Sequence, residues 1–365
     1  MGNRASVTQQ PAAPPALLSA AVMGDLSKFE TEWKAATSAQ DRVIKDRQQN
    51  NILHALFSCR SPQAKAQDVL NLIHTDLSES QLVELYEAKN NLGCTPIWIL
   101  VAYGNVDLLK HVQTKVQNLS LKVSELLTES NHQGDSPLLA TCSQGNTSMV
   151  KFLKDNAFSK NDADWSSALS QANSKGTTPL QIVIGNAHSE LLGFLLQEES
   201  SIAPLLTRKN TAGLSLFHIC SERNFASGLK LLLEYMTSKD NKRQGLEQVL
   251  DIKDKNQANA LHVAAFCGNE EAVQVWINVT QSVCNDDVAA AIKLLDRMDG
   301  QARTAYWLTM VQGHEKIGAM LAATGVDTKH PNMVKEIEEA KERRAQAAKK
   351  KEQQRLIDGA SLSKR

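Results

Sequence analysis

Apolar residues in the stretch Asp254–Ile277 recur at the spacing of two short helices. The first predicted helix has small and apolar residues one turn apart, at Ala260, Leu261, Ala264 and Ala265. Gly268 and Asn269 break it, and the second repeats the i, i+3, i+4 spacing at Ala272, Val273, Trp276 and Ile277. Neither helix could bury its apolar face alone, so the unit needs neighbours.

Related markers recur along the chain when one position at the start of each first helix is taken as a reference. The reference positions are Ile52, Pro96, Pro137, Pro179, Leu216, Ala260 and Ala305. Asn or Asp stands six positions earlier in every copy and favours a turn. Most copies also have Gly three positions earlier, Ser or Thr immediately before, and Gly eight positions later. The chain is therefore predicted to be an array of repeats, opened by a partial copy whose reference is Ala16.

The repeats are long enough to include a third helix. Successive reference positions from Ile52 lie 44, 41, 42, 37, 44 and 45 residues apart. Ten positions before the reference, the residues are large and apolar: Tyr86, Leu127, Leu169, Leu206, Leu250 and Leu295. With the apolar residues found eleven and fourteen positions before it in most copies, this spacing predicts a third short helix ahead of the turn.

The run ALHVAAFCGN, from Ala260 to Asn269, resembles the T-P-L-H-x-A signature of ankyrin repeats, although that family's usual period is 33 residues. His54, His218 and His262 occupy the signature histidine position, and the resemblance implies that they bond the backbone of adjacent turns. We expect an all-α ankyrin-repeat solenoid of about eight repeats over residues 16–330, most with an extra short third helix. A flexible tail over residues 1–15 and a charged, basic helical tail over residues 331–365 would flank it.

Composition favours a cytoplasmic protein. Lys and Arg together number 40, as do Asp and Glu, so the chain has no net charge that would favour nucleic acid or a membrane surface as a partner. No apolar run approaches 18 residues, and no signal-peptide pattern opens the chain. The six cysteines lack C-x-x-C spacing, so we interpret them as structural thiols and expect no metal site.

The first residues match the pattern for N-myristoylation. Met1-Gly2-Asn3-Arg4-Ala5-Ser6 fits M-G-x-x-x-[ST], with Gly2 as the acceptor; a coincidental match is the alternative. A single myristoyl chain gives only marginal, reversible membrane binding, so peripheral membrane contact through Gly2 would need a second signal.

The predicted C-terminal helix is basic in its middle, at Arg343, Arg344, Lys349, Lys350 and Lys351. A solvated helical tail is one interpretation. A nuclear-localisation signal or a patch that binds an acidic surface is another, and the second membrane signal required by Gly2 is a third. The acidic cluster Glu336, Glu338 and Glu339 also resembles the glutamate-rich secretion signals of bacterial effectors.

The sequence contains no HExxH, GxSxG or P-loop motif, and the repeats fill residues 16–330, so we expect neither an enzyme nor a cofactor. The ankyrin resemblance implies a protein partner on the concave side, which turn tips and the exposed edges of first helices would form. Carried onto this sequence, it gives the candidate partner-binding residues Tyr103, Gln144, Arg223, Phe266 and Arg303. Packing of Tyr103 and Phe266 against neighbouring repeats alone is the open alternative.

The leading functional prediction is a monomeric, non-catalytic scaffold or adaptor for a protein partner, tethered to a membrane if Gly2 is acylated. One alternative is a secreted bacterial effector with eukaryotic-like repeats that acts on a host protein inside the host cell. Another is a membrane-associated or nuclear regulator whose basic tail binds lipid or nucleic acid, although the balanced charge makes nucleic acid the weaker choice.

Overall fold

The computed structural model describes residues 16–36, 42–59, 63–158, 162–198, 202–238, 241–285 and 287–362. Side chains are described in these ranges as far as residue 355, apart from those of residues 63, 64, 162, 163 and 198. Gly2 and the rest of the predicted N-terminal tail lie outside the described ranges. All regular secondary structure in the described ranges is helical. In chain order the helices are α1 (Ala16–Met23), α2 (Leu26–Ala35), α3 (Ile52–Phe57), α4 (Gln63–Asp76), α5 (Glu79–Glu87), α6 (Pro96–Tyr103), α7 (Val106–Val116), α8 (Val123–Leu126), α9 (Pro137–Gln144), α10 (Thr147–Ala157), α11 (Asp162–Ser170), α12 (Pro179–Gly185), α13 (Ser189–Glu198), α14 (Ala203–Thr207), α15 (Leu216–Glu222), α16 (Ala226–Thr237), α17 (Lys242–Leu250), α18 (Ala260–Cys267), α19 (Glu270–Cys284), α20 (Val288–Leu295), α21 (Ala305–Gln312), α22 (Glu315–Ala322) and α23 (Pro331–Leu362).

The predicted all-α repeat architecture is confirmed, including the third helix. Each predicted reference position is the first residue of a helix, and these first helices are α1, α3, α6, α9, α12, α15, α18 and α21. A second helix follows each of them. The predicted third helices are α5, α8, α11, α14, α17 and α20, each ahead of the next turn.

The turns are held by the Asn or Asp that stands six positions before each first helix. In all seven turns its side-chain oxygen accepts hydrogen bonds of 2.8–3.0 Å from the backbone amides two and four residues ahead. The residue three positions before the first helix has a positive φ even where it is not glycine, as at Gln49, Gln257 and Ala302. The side-chain clamp thus supports a left-handed conformation that ordinary residues rarely adopt.

The chain forms two compact units, residues 1–179 and residues 180–365. In the first unit, consecutive first helices α1, α3, α6 and α9 pack side by side. In the second, α15, α18 and α21 do the same, and α23 then packs on α21. The core of each unit is built from Leu, Val and Ala, with fully buried large side chains such as Trp33 and Trp276.

The signature histidines join each repeat to the turn of the next. Nε2 of His54 lies 2.9 Å from the Cys94 carbonyl oxygen, and Nε2 of His262 lies 3.1 Å from that of Arg303. His218 makes the same bond to Ala258 at 3.2 Å. In all three, Nδ1 accepts the backbone N–H of the residue that caps the first helix. The structural role implied by the resemblance is therefore confirmed.

Acid should loosen the fold through these buried histidines. Burial lowers the pKa of His54, His218 and His262, to about 4 for His262. Below about pH 6.5 these histidines are protonated in the unfolded chain but stay neutral in the folded chain until the pH approaches their lowered pKa. Their contribution to the free energy of unfolding is therefore complete above about pH 6.5. It is lost as the pH falls towards the pKa of the folded state, at about 1.4 kcal/mol per pH unit for each such histidine.

We expect the urea midpoint to fall between about pH 7 and pH 5, and to fall less steeply in His262→Gln, which removes one titrating group. The comparison is between the slopes of the urea midpoint against pH, so an overall loss of stability in the variant does not affect it. Equal slopes in the wild type and the variant would contradict a buried neutral imidazole at this position.

Candidate protein-binding surface

The side chain seven residues after the start of a first helix changes character along the first unit. At this position Met23 of α1 and Tyr103 of α6 are apolar and exposed, at 64% and 46% respectively. In the next repeat, α9 has the exposed Gln144 instead. The chemistry of this position therefore varies between repeats, and its exposed side chains can contribute to a binding surface.

The exposed apolar side chains at the start of the first unit line one groove of about 400 Å³. We call it the first groove. Its lining residues are Leu18, Ser19, Val22, Met23, Asp46, Gln48, Asn50, His54, Ala55, Ser58, Asn90, Leu92, Ile99 and Tyr103. Val22 and Leu92 are 46% and 58% exposed. Together with Met23 and Tyr103, they are all of the large apolar side chains that are exposed among the described residues of this unit.

Local backbone geometry brings these side chains together. Gly24, at φ +62°, ends α1 directly after Val22 and Met23. Leu92 lies at a turn tip, where its N–H is bound by the side chain of Asn90 and its carbonyl accepts the N–H of His132. The groove thus lies between turn tips and first helices.

The polar part of the first groove has one acidic residue, Asp46. Its carboxylate accepts the N–H groups of Gln48 and Asn50 and the Asn50 side-chain amide. Burial lowers the pKa of His54, so this imidazole is neutral at pH 7. The groove is therefore largely apolar, with amides and one carboxylate at its edge.

A second groove, of about 560 Å³, lies in the second unit between the turn tips 254–258 and 299–303. Phe266 is 52% exposed in it. Arg303 also lines it, and its guanidinium donates twice to Asp299, at 2.8 and 3.1 Å. Burial alone would raise the pKa of the Asp299 carboxyl, but these and neighbouring backbone hydrogen bonds hold it below its usual value. The second groove is more polar than the first.

Gln144 and Arg223, two other predicted site residues, bind the backbone of the preceding repeat. The Gln144 amide donates to the Ala102 carbonyl. The Arg223 guanidinium donates to the Gly185 carbonyl at 3.0 Å, at the end of α12. Both side chains are exposed, yet each helps to join neighbouring repeats. The structure thus places Tyr103 in the first groove and Phe266 with Arg303 in the second, and gives Gln144 and Arg223 a structural contact.

Arg344, predicted as part of the basic tail, caps a helix of the last repeat. Its guanidinium donates to the Val311 carbonyl at 2.6 Å and to the Met310 carbonyl at 3.2 and 3.3 Å, near the end of α21. Asn146, Asn269 and His314 do the same for first helices earlier in the chain, where they donate to the carbonyls of Gly104, Ser221 and Phe266. Arg344 thus binds the end of the first helix of the last repeat in the way that Asn146, Asn269 and His314 bind the ends of earlier first helices.

The first half of α23 is a packed cap. Met333 and Ile337 pack on Trp307, whose indole N–H donates to the Glu336 carboxylate at 2.8 Å. Trp98, at the equivalent position of α6, donates to the next turn at Asp135. Arg343, Lys349, Lys350 and Lys351 are exposed. Residues 331–344 therefore pack as an extension of the repeats, which the predicted boundary at residue 331 did not anticipate.

Among the described residues, no cluster of three or more His, Cys, Asp or Glu side chains has the geometry to hold a metal ion. None of the described helices is both long enough and apolar enough to cross a membrane.

A family model described as ankyrin repeats (3 copies) matches residues 111–204. A search of curated proteins found no match. Residues 111–204 are therefore similar to ankyrin repeats, which are in general protein–protein interaction modules. The turns, histidines and helix starts described above extend the same geometry on both sides of the matched stretch.

Sequence reasoning did not select Val22 and Met23 as candidate site residues. Met23 lies seven positions after the reference Ala16, so the register that selected Tyr103 also marks Met23. Leu92 follows the turn residue Asn90 by two positions, so it lies in a predicted turn. Only the structure places it next to the end of α1.

Removal of the Arg344 cap should loosen the last repeat. We expect Arg344→Ala to accelerate amide hydrogen exchange in α21 and α22 by roughly tenfold, since hydrogen bonds to a charged group contribute about 1.5–3 kcal/mol and this one is only partly buried. The matched control is Arg343→Ala, which removes an exposed arginine from the same helix and should change exchange little. Similar exchange rates in the two variants would contradict the capping role.

Proposed function

We propose that this protein is a non-catalytic adaptor that binds a protein partner in the first groove. The observation that carries the proposal is the convergence of Val22, Met23, Leu92 and Tyr103 in one open groove. Contiguous exposed apolar surface on a soluble protein is characteristic of an interaction site. Tyr is also one of the residue types enriched among energetic anchors at interfaces.

The location of the groove agrees with this proposal. It lies on turn tips and first helices, the surface that the ankyrin resemblance assigns to partners. Its side chains are fixed by helix stacking and by the turn clamps, so little order has to be gained on binding. The partner best matched to it presents a few apolar side chains and amide or hydroxyl groups.

The second groove offers a contact of different chemistry. Phe266 provides an exposed aromatic face, and Arg303 is held in place by Asp299 beside it. We propose it as an additional contact for a partner segment that presents carbonyl or carboxylate oxygens, with Gln144 and Arg223 playing mainly structural roles.

Affinity capture from eukaryotic cytosol tests the adaptor function. The full-length double variant Met23→Asp, Tyr103→Ala should lose a protein that the wild type recovers. Loss of one such anchor typically costs about 2 kcal/mol or more, which is a more than tenfold loss of affinity. Because both side chains are exposed, the thermal midpoint should barely change.

The matched control for this capture is Met298→Asp, which alters a 53% exposed apolar side chain in the second unit. It should retain the partner. Equal recovery of every captured protein by the wild type and the groove variant would argue against the first groove as the binding site.

Acylation of Gly2 and a cytosolic location at a membrane stay predictions from the sequence. Co-expression with an N-myristoyltransferase and mass spectrometry of the N-terminal peptide test the modification. An acylated glycine is expected in the wild type and none in Gly2→Ala. An unmodified wild-type peptide would contradict the motif.

A further inference from the structure

The charges of α23 are divided unequally along the helix. Residues 331–344 have four lysines or arginines and four glutamates. Residues 345–355, which we call the basic segment, have one carboxylate, Glu352, and four cations: Lys349, Lys350, Lys351 and Arg355. The balance of charge over the whole chain therefore conceals a local excess of positive charge.

The basic segment does not pack on the repeats. Met333, Ile337 and Ala340 are buried, and Arg344 is half-buried where it caps α21. From Ala345 to Arg355 every residue is exposed, although the helix continues to Leu362. The side chains of the basic segment are therefore accessible around the whole helix.

The four cations of the basic segment have no carboxylate partner. In the repeats, Lys316 pairs with Glu270 at 2.6 Å and Arg243 pairs with Glu247 at 3.0 Å. No described carboxylate oxygen lies within 4.0 Å of a side-chain nitrogen of the four cations. Only solvent ions balance these charges, and a polyanion that binds here would take their place.

We infer that the basic segment binds double-stranded DNA by lying in its major groove. Successive residues of an α-helix are about 100° apart, so the four cations cover about 240° of the circumference. Such a distribution matches a ligand that meets the helix on several sides. The major groove has phosphates along both edges, and its width of about 12 Å accepts a helix of about 10–12 Å diameter.

Other anionic partners match the basic segment less well. A helix that lies on a membrane has cations on one face and large apolar side chains such as Trp, Phe or Leu on the other. The apolar side chains of the basic segment are Ala345, Ala347 and Ala348, which are small and allow close approach to a groove instead. Duplex RNA is also a poorer match, because its major groove is deep and narrow.

Binding should be weak and steeply dependent on salt. Contacts to phosphates alone give a Kd of about 10⁻⁴–10⁻⁶ M at physiological salt. If all four cations reach phosphates, the slope of log K against log salt is about −3.6, which is a loss of roughly 150-fold in affinity between about 50 and 200 mM salt. Fluorescence anisotropy of a labelled duplex of about 20 base pairs, roughly 68 Å long, measures this slope with the whole chain as titrant.

A charge-removing variant and a matched control test the location of the contact. Lys349→Gln with Lys350→Gln and Lys351→Gln should weaken DNA binding at least tenfold at about 50 mM salt and reduce the slope to about −0.9. The control is Lys293→Gln with Lys329→Gln and Lys335→Gln, which removes the same charge from exposed lysines outside the basic segment. It should keep the slope of the wild type. Circular dichroism confirms that both variants are folded.

Three results would overturn the inference. One is the absence of DNA binding by the wild type at about 50 mM salt. Another is an equal loss of binding in the two variants, which would attribute the attraction to net charge. The third is tighter binding to duplex RNA of the same sequence, or to vesicles that contain phosphatidylserine. The variant Met23→Asp, Tyr103→Ala should bind DNA like the wild type, so the outcome is independent of the first groove.

Discussion

A first helix ends in backbone carbonyls that it cannot satisfy itself, and at α6, α12, α15, α18 and α21 a side chain from the next element along the chain binds one of them. The last carbonyls of an α-helix have no partner within the helix, and burial without a partner is costly. Asn146, Asn269 and His314 reach back to such carbonyls from the following repeat. At the other end of the helix, the signature histidines bind the carbonyl of the next turn. A single repeat would leave these groups unsatisfied, so the repeats need one another.

This constraint explains why the last repeat needs α23. The element that packs on α21 is α23 and not the first helix of another repeat, yet the carbonyls and the apolar face of α21 still require cover. Arg344 takes the place of the reaching Asn or His, Glu336 accepts the indole N–H of Trp307, and Met333 and Ile337 cover the apolar face. A helix without the repeat sequence thus reproduces the contacts of a repeat, in keeping with the need of arrays for terminal caps.

The sequence was sufficient for features that recur and insufficient for those that occur once. Asn or Asp in the turn, the starts of the first helices and the third helix were all predicted, because each marker appears in most copies at a fixed distance. The role of Arg344 was not, since α23 has no counterpart in the repeat register. The contacts of Gln144 and Arg223 with the preceding repeat were not predicted either. A long polar side chain on a helix edge has the same appearance in sequence whether it faces solvent or reaches back to a carbonyl 38 or 42 residues away.

The same reasoning indicates where binding chemistry can be placed. Substitutions would disturb packing at three kinds of position: the Asn or Asp of the turn, the signature histidine, and the Asn that binds a carbonyl of the preceding repeat. All three make hydrogen bonds that hold the turns or join neighbouring repeats. The position seven residues into a first helix varies more in chemistry. It bears a methionine in α1, a tyrosine in α6 and, in α9, a glutamine that binds backbone. Where that side chain reaches back to the preceding repeat, it supports stacking. Where it is apolar, it leaves the surface that forms the first groove. One register position thus supplies a contact between repeats at Gln144 and exposed apolar surface to the first groove at Met23 and Tyr103.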